Sequence, residues 1–267
     1  MTRVTSLDNP RVKEASRLVA SSRDRRKLGR CVLEGVHAID AYLARVGQPE
    51  TLIVAQDAVA QPSLAAVIAR TAPSRLVVVS RALLGEIATL PPDIGAIAVI
   101  VTPHAPPAAA ADFCLLLEDV QDPGNVDSLM RSAAAAGVRQ VHLSGASVFA
   151  WSPKVLLAAQ GAHFHLAIYE DVDVPAWSRM FRATGGTLLA TVVAGGQSLF
   201  AANLPWPIAL AVGNEGAGLS AALADMANRR VTIPMPGGTE SLNVAVAAGI
   251  CLFECVRRRE SATGSCQ

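Results

Sequence analysis

Residues 231–259 read VTIPMPGGTESLNVAVAAGICLFECVRRR, and the fold turns on how this stretch is parsed. An apolar run ending at Pro234 has the look of a buried strand. PMPGGTESLN, residues 234–243, then combines prolines, glycines and polar side chains that break regular structure. From Asn243 the chain becomes rich in alanine, valine and glycine at helical length. Strand, loop, helix is the unit that builds parallel sheets. Two earlier stretches repeat it: EDVQDPGN at 118–125 and GNEGAG at 213–218, each after an apolar run and before a helical pattern.

Working outward, FCLLLEDV, QVHLS, HLAIY, TLLATVV, PIALAVG and RRVTIP read as strands. VDSLMRSAAAAGV, SPKVLLAAQGA, VPAWSRMFRATG and LSAALADMA read as helices between them. Unbroken apolar strands linked by helices predict a mostly parallel sheet covered on both faces. Upstream, CVLEG, TLIVA, RLVVV and AIAVIV alternate with three further helical patterns, giving a smaller α/β domain. VTPHAPPAAAAD, rich in Pro and Ala, separates the two series. The predicted organisation is a domain over 1–103, a linker over 104–111, a second domain over 112–260 and a disordered tail over 261–267.

Hydrophobic residues make up 51% of the 267 and charged residues 17%, which excludes a disordered chain. The longest apolar stretches fall short of the roughly 18 to 20 residues that cross a bilayer. The N-terminus lacks the apolar core of a signal peptide, so a cytoplasmic location and no membrane partner are expected. Five cysteines without a CxxC suggest neither a disulfide framework nor a zinc site. Cys251 and Cys255 read as core residues one helical turn apart, and His163 and His165 read as structural, so no metal is expected.

The net charge of +1 hides an uneven distribution. Residues 1–30 hold nine basic side chains against three acidic ones, a local charge of +6. The segment containing Arg23, Arg25, Arg26, Lys27 and Arg30 is read as a phosphate-binding patch, the alternative being an ordinary solvated helix face. The three loops contain no GxGxxG and no GxxxxGK[ST], and no GxSxG elbow is present, which removes the support for dinucleotide, triphosphate and acyl-transfer chemistry. An adenine-bearing ligand that is neutral or cationic fits glycine-exposed backbone and apolar walls better.

EDVQDPGNVDSLMRSAAAAGV, LAVGNEGAGLS and IPMPGGTESLNVAVAAGICLFE, in that order, resemble the three motifs of the SpoU (TrmH-like) branch of the SPOUT superfamily. SLDNPRVKEASRL followed by RRKLGRCVLEGVHAI resembles the RNA-binding domain preceding the catalytic domain in ribosomal-RNA members. The resemblance implies an S-adenosylmethionine-dependent RNA 2′-O-ribose methyltransferase, with ribosomal RNA favoured over transfer RNA. It also implies a deep trefoil knot and a homodimer. Gly213, Ile233, Met235, Leu242 and Asn243 match cofactor-holding positions. Arg131, Asn125, Glu215, Ser241 and Asn243 match catalytic ones. Asn125 has a second reading as a helix N-cap. Asp127 stands where relatives commonly carry glycine. A catalytically silent RNA-binding relative and an enzyme using another adenine nucleotide are the competing readings.

Overall fold

The computed structural model describes residues 2–89, 95–106 and 111–264, which divide into two compact units. The first gathers Met1–Pro103 and Phe149–Phe164, the second His104–Val148 and His165–Gln267. Residues 149–164, read from the sequence as part of the second domain, therefore cluster with the first. The reason is packing: the helix they contain lays buried Val155 and Leu156 against a strand of the first unit.

In the first unit the elements are β1 (Thr2–Arg3), α1 (Pro10–Ala20), α2 (Ser22–Leu28), β2 (Arg30–Glu34), α3 (Val36–Arg45), β3 (Thr51–Ala55), α4 (Pro62–Ala69), β4 (Leu76–Val79), α5 (Arg81–Ile87) and β5 (Ala96–Val101). The sheet runs β1-β4-β3-β5-β2. Pairing is parallel for β1 with β4 and β3 with β4, and antiparallel for β5 with both β3 and β2. β3 and β4 are buried along their whole length, which explains the aliphatic runs from Leu52 to Ala55 and from Leu76 to Val79.

The second unit holds β6 (Phe113–Leu117), α6 (Pro123–Ala135), β7 (Gln140–Leu143), β8 (Ala167–Tyr169), α8 (Val174–Ala183), β9 (Thr187–Thr191), β10 (Gln197–Ser198), β11 (Ile208–Val212), α9 (Ala221–Met226), β12 (Arg229–Thr232) and α10 (Val244–Gly264). The intervening α7 (Pro153–Ala158) is the helix that packs on β2. Every pairing in the order β10-β12-β9-β11-β6-β7-β8 is parallel. Side chains alternate across a strand, so β6 and β11 send Cys114, Leu116, Ala209 and Ala211 into a core with Val174 and Phe181 of α8 and Leu223 of α9. α6 and α10 pack against each other, and α10 also meets β11. Cys251 and Cys255 are fully buried there, and burial pushes both thiols up to about 12.

Short polar side chains start these helices. Asp122, Ser152, Asp173 and Ser220 each accept a backbone N–H three residues on, and proline follows the first two directly. At the far end α10 continues through Gly264. Ser261 Oγ donates to the Arg257 carbonyl, so residues 261–264 are helical and not the tail expected, while 265–267 lie outside the described residues. Residues 107–110 of the expected linker also lie outside them. Among the described residues no helix is long and apolar enough to cross a membrane.

Candidate functional site

Four adjacent strands, β12, β9, β11 and β6, end at the same edge of the parallel sheet, where ligands of such sheets bind. The loops beyond β9, β11 and β12, together with Asn125 near the start of α6, line a cavity of about 570 Å³. That volume lies in the range of small-molecule sites. Gly213, Glu215, Ile233, Met235, Ser241, Leu242, Asn243 and Asn125, all picked from the sequence, line it.

The loop after β11 folds back tightly on itself. Asn214 and Gly218 exchange backbone hydrogen bonds at 2.9 and 3.0 Å, with Gly218 at φ +71°. A methyl group at Gly213 would overlap the backbone of Gly218 and Leu219, so only glycine permits this return. Asn214 fixes the turn from within: its Oδ1 accepts Gly216 N–H and Ala217 N–H, and its Nδ2 donates to the Asp119 carbonyl at 2.9 Å. The turn presents Glu215 to the start of α6.

There the loops are tied by one polar chain. The Glu215 carboxylate accepts Asn125 Nδ2 at 2.9 Å, Asp122 N–H at 3.2 Å and Gln121 N–H at 3.4 Å. Burial pushes its pKa up, but the hydrogen bonds from Asn125 and the backbone outweigh this and hold it below the usual range. Asn125 Oδ1 in turn accepts Asn243 Nδ2 at 2.8 Å. Asn243 Oδ1 accepts Ala245 N–H and Val246 N–H and so caps α10. Asn125 itself is not the cap of α6; Asp122 is, accepting the Asn125 N–H at 2.9 Å. Asn125 lies inside the helix, where its amide joins two loops.

The family model described as SpoU rRNA Methylase matches residues 112–253. The chain belongs to the SpoU rRNA methylase family. A second model, the MRM3-like substrate binding domain, matches residues 9–95 of this SpoU family member. An uncharacterized tRNA/rRNA methyltransferase of Synechocystis is 34% identical over 97% of this chain and 95% of its own. The 23S rRNA (guanosine(2553)-2′-O)-methyltransferase RlmP of Bacillus subtilis is 38% identical, over 54% of this chain and 58% of its own length. The crystal structure of the SpoU methyltransferase AviRb from Streptomyces viridochromogenes, in complex with AdoMet, matches with a TM-score of 0.83. The two are 27% identical, and the match covers 95% of this chain and 99% of that one.

Other predicted residues of this SpoU chain fall elsewhere. Arg131 is exposed, six residues past Asn125 on α6, and does not line the cavity. In the first unit Arg23, Arg26 and Lys27 are exposed on α2, with the Arg26 guanidinium 4.4 Å from the centre of the Phe149 ring. Arg25 is a correction to the predicted patch. Its side chain is buried and donates to the carbonyls of Leu18 and Val19, the latter at 3.0 Å, so it closes the end of α1 and cannot meet a phosphate. Arg30 is half-buried between the carboxylates of Glu14 and Glu50, which neutralise it. Sequence reasoning missed Thr191 at the end of β9, Val192 and Val193 beyond it, and Asn214. The paired Gly195-Gly196 after β9 was the available signal for a fourth loop.

Proposed function

We propose that this chain is an S-adenosylmethionine-dependent RNA 2′-O-ribose methyltransferase acting on ribosomal RNA. The observation that carries the reading is the chemistry of the cavity. Among its lining residues the single charged side chain is the Glu215 carboxylate, surrounded by the backbone of three glycine-bearing loops. Such a donor set suits a sulfonium-bearing nucleoside and opposes a triphosphate. Gly213, Ile233 and Leu242 would hold the cofactor through backbone groups, with Met235 and Ser241 along the same wall.

When bound, S-adenosylmethionine supplies a methyl group on a good leaving group. The remaining demands fall on the protein: to orient a ribose hydroxyl in line, exclude water and stabilise charge on the 2′ oxygen. The Glu215–Asn125–Asn243 chain holds the three loops in one arrangement. Arg131 supplies a planar fork for the target phosphate and for the developing oxyanion. The intact polar chain favours an active enzyme over a silent relative.

Ribosomal RNA is supported by the names of the relatives and by the substrate-binding match over residues 9–95. Within the first unit, Arg23, Arg26 and Lys27 carry the RNA contact. A homodimer is part of the reading: Val246 and Phe253 on α10, seven residues apart on one face, are half exposed and apolar. So is the trefoil knot, supported by the loops after β11 and β12 lining one cavity. A cytoplasmic site of action belongs to the same reading. Labelled methyl from S-adenosylmethionine, followed into ribosomal RNA and recovered as 2′-O-methylnucleoside, tests the proposal. Label recovered on a base, or none at all, contradicts it.

A further inference from the structure

α6 carries two charged residues one turn apart, Asp127 and Arg131. The Asp127 side chain is only 6% exposed, and its Oδ1 has no hydrogen-bond partner. Burial pushes the carboxyl up to about 6, and the nearby charge of Arg131 opposes that rise. Arg131 is exposed, and among the described residues its guanidinium has no hydrogen-bond or ion-pair partner. Residues four apart share a helix face, and helical side chains lean toward the N-terminus, so the Arg131 stem lies over the turn that holds Asp127.

This arrangement is costly unless it is used. A carboxylate with one oxygen unpaired and out of water is a costly group for a helix to bury, and a smaller neutral side chain would fill the position without that cost. A guanidinium on three methylenes turns freely until two anions hold it. An RNA phosphate supplies one, and a carboxylate fixed in the helix supplies the other.

We propose that Asp127 is a positioning residue for methyl transfer, its unpartnered oxygen receiving the Arg131 guanidinium as RNA engages and holding the fork in one orientation. The inference rests on the methyltransferase reading and deepens it by assigning the group that aims Arg131. Pairing also screens the acidic charge from the incoming RNA backbone.

The test is a double-substitution cycle on the full-length protein, with kcat and KM for ribosomal RNA and Kd for S-adenosylmethionine measured for each variant. Asp127→Asn is nearly isosteric and removes the charge alone. The result expected is a fall in kcat of about tenfold, the scale of one charge-assisted hydrogen bond, with cofactor Kd unchanged. In an Arg131→Ala background the same substitution has no further effect. Full kcat in Asp127→Asn, or losses that multiply in the double variant, overturns the inference. Should the Asn variant fail to fold, Asp127→Ser is read in the same cycle. A wild-type protein that transfers no methyl to RNA ends the functional reading and this inference together. An active enzyme sensitive to Arg131 and indifferent to Asp127 ends this inference alone.

Discussion

Replacing Asp127 with asparagine stabilises the protein in alkaline and neutral solution and leaves it unchanged in acid. The carboxyl rises from its ordinary 3.8 to about 6 in the fold because burial disfavours the charged form. A rise of that size corresponds to about 3 kcal/mol at 1.36 kcal/mol per pH unit. The native state binds the proton more tightly than the unfolded chain, so the contribution of the neutral form is fully present below 3.8. It is lost as pH climbs through about 6. At pH 8 the wild type bears the whole cost of a buried carboxylate, and the asparagine variant does not. The difference in stability is therefore near zero at pH 4, grows between pH 4 and 6, and levels off above. For a unit of 150 to 250 residues this is a gain in Tm of about 6 to 12 °C at pH 8. Thermal unfolding of both proteins at a series of pH values reads it directly. An asparagine variant less stable than wild type at pH 8, or a difference independent of pH, refutes the argument and shows that Asp127 is satisfied in the native state.

Four further outcomes follow from the geometry. Gly213→Ala drives a methyl group into the backbone of Gly218 and Leu219, so calorimetry shows cofactor affinity lowered by tenfold or more; retained affinity contradicts the tight return of that loop. Burial lowers both His142 and His163 to about 4, so the stability of their neutral forms is present above 6.5 and lost as pH falls toward 4, by about 3 kcal/mol each. His142→Phe keeps the ring between Tyr169 and Trp177 and flattens the acid slope of unfolding; an unchanged slope removes His142 from the account. Arg25→Ala destabilises the first unit by about 2 to 4 kcal/mol by leaving the Leu18 and Val19 carbonyls unpaired. Lys27→Ala instead leaves Tm alone and lowers RNA affinity with a salt slope shallower by about one, as filter binding at several salt concentrations measures.

The sheet of the second unit was legible because its strands are buried on both faces. β6, β9 and β11 are continuous apolar runs of the right length, and each ends in a glycine or polar cluster. β10, two residues long at the sheet edge, carries no such pattern and was missed. The antiparallel placing of β5 between β3 and β2 was equally hidden, since period and composition do not encode strand direction. Segment 149–164 looked like any other helix of the second series, because what assigns it to the first unit is contact with β2, distant in sequence. In the site, Asn125, Glu215 and Asn243 were found individually by motif, but their joining into one hydrogen-bonded chain was not. Separations of 90 and 118 residues lie beyond any local reading. The basic run at 23–30 showed the opposite failure: charge counting cannot tell that Arg25 points inward while Arg23 and Lys27 point out.

Everything turns on whether the loops after β9, β11 and β12 enclose S-adenosylmethionine. A crystal structure of the protein grown with that cofactor measures it. The account predicts the adenosyl group within the cavity, held by backbone groups of Gly213, Ile233 and Leu242, with the sulfonium methyl open to solvent on the side where RNA arrives. A cofactor seated elsewhere on the chain, or a cavity closed by the same loops with none bound at saturating concentration, contradicts it.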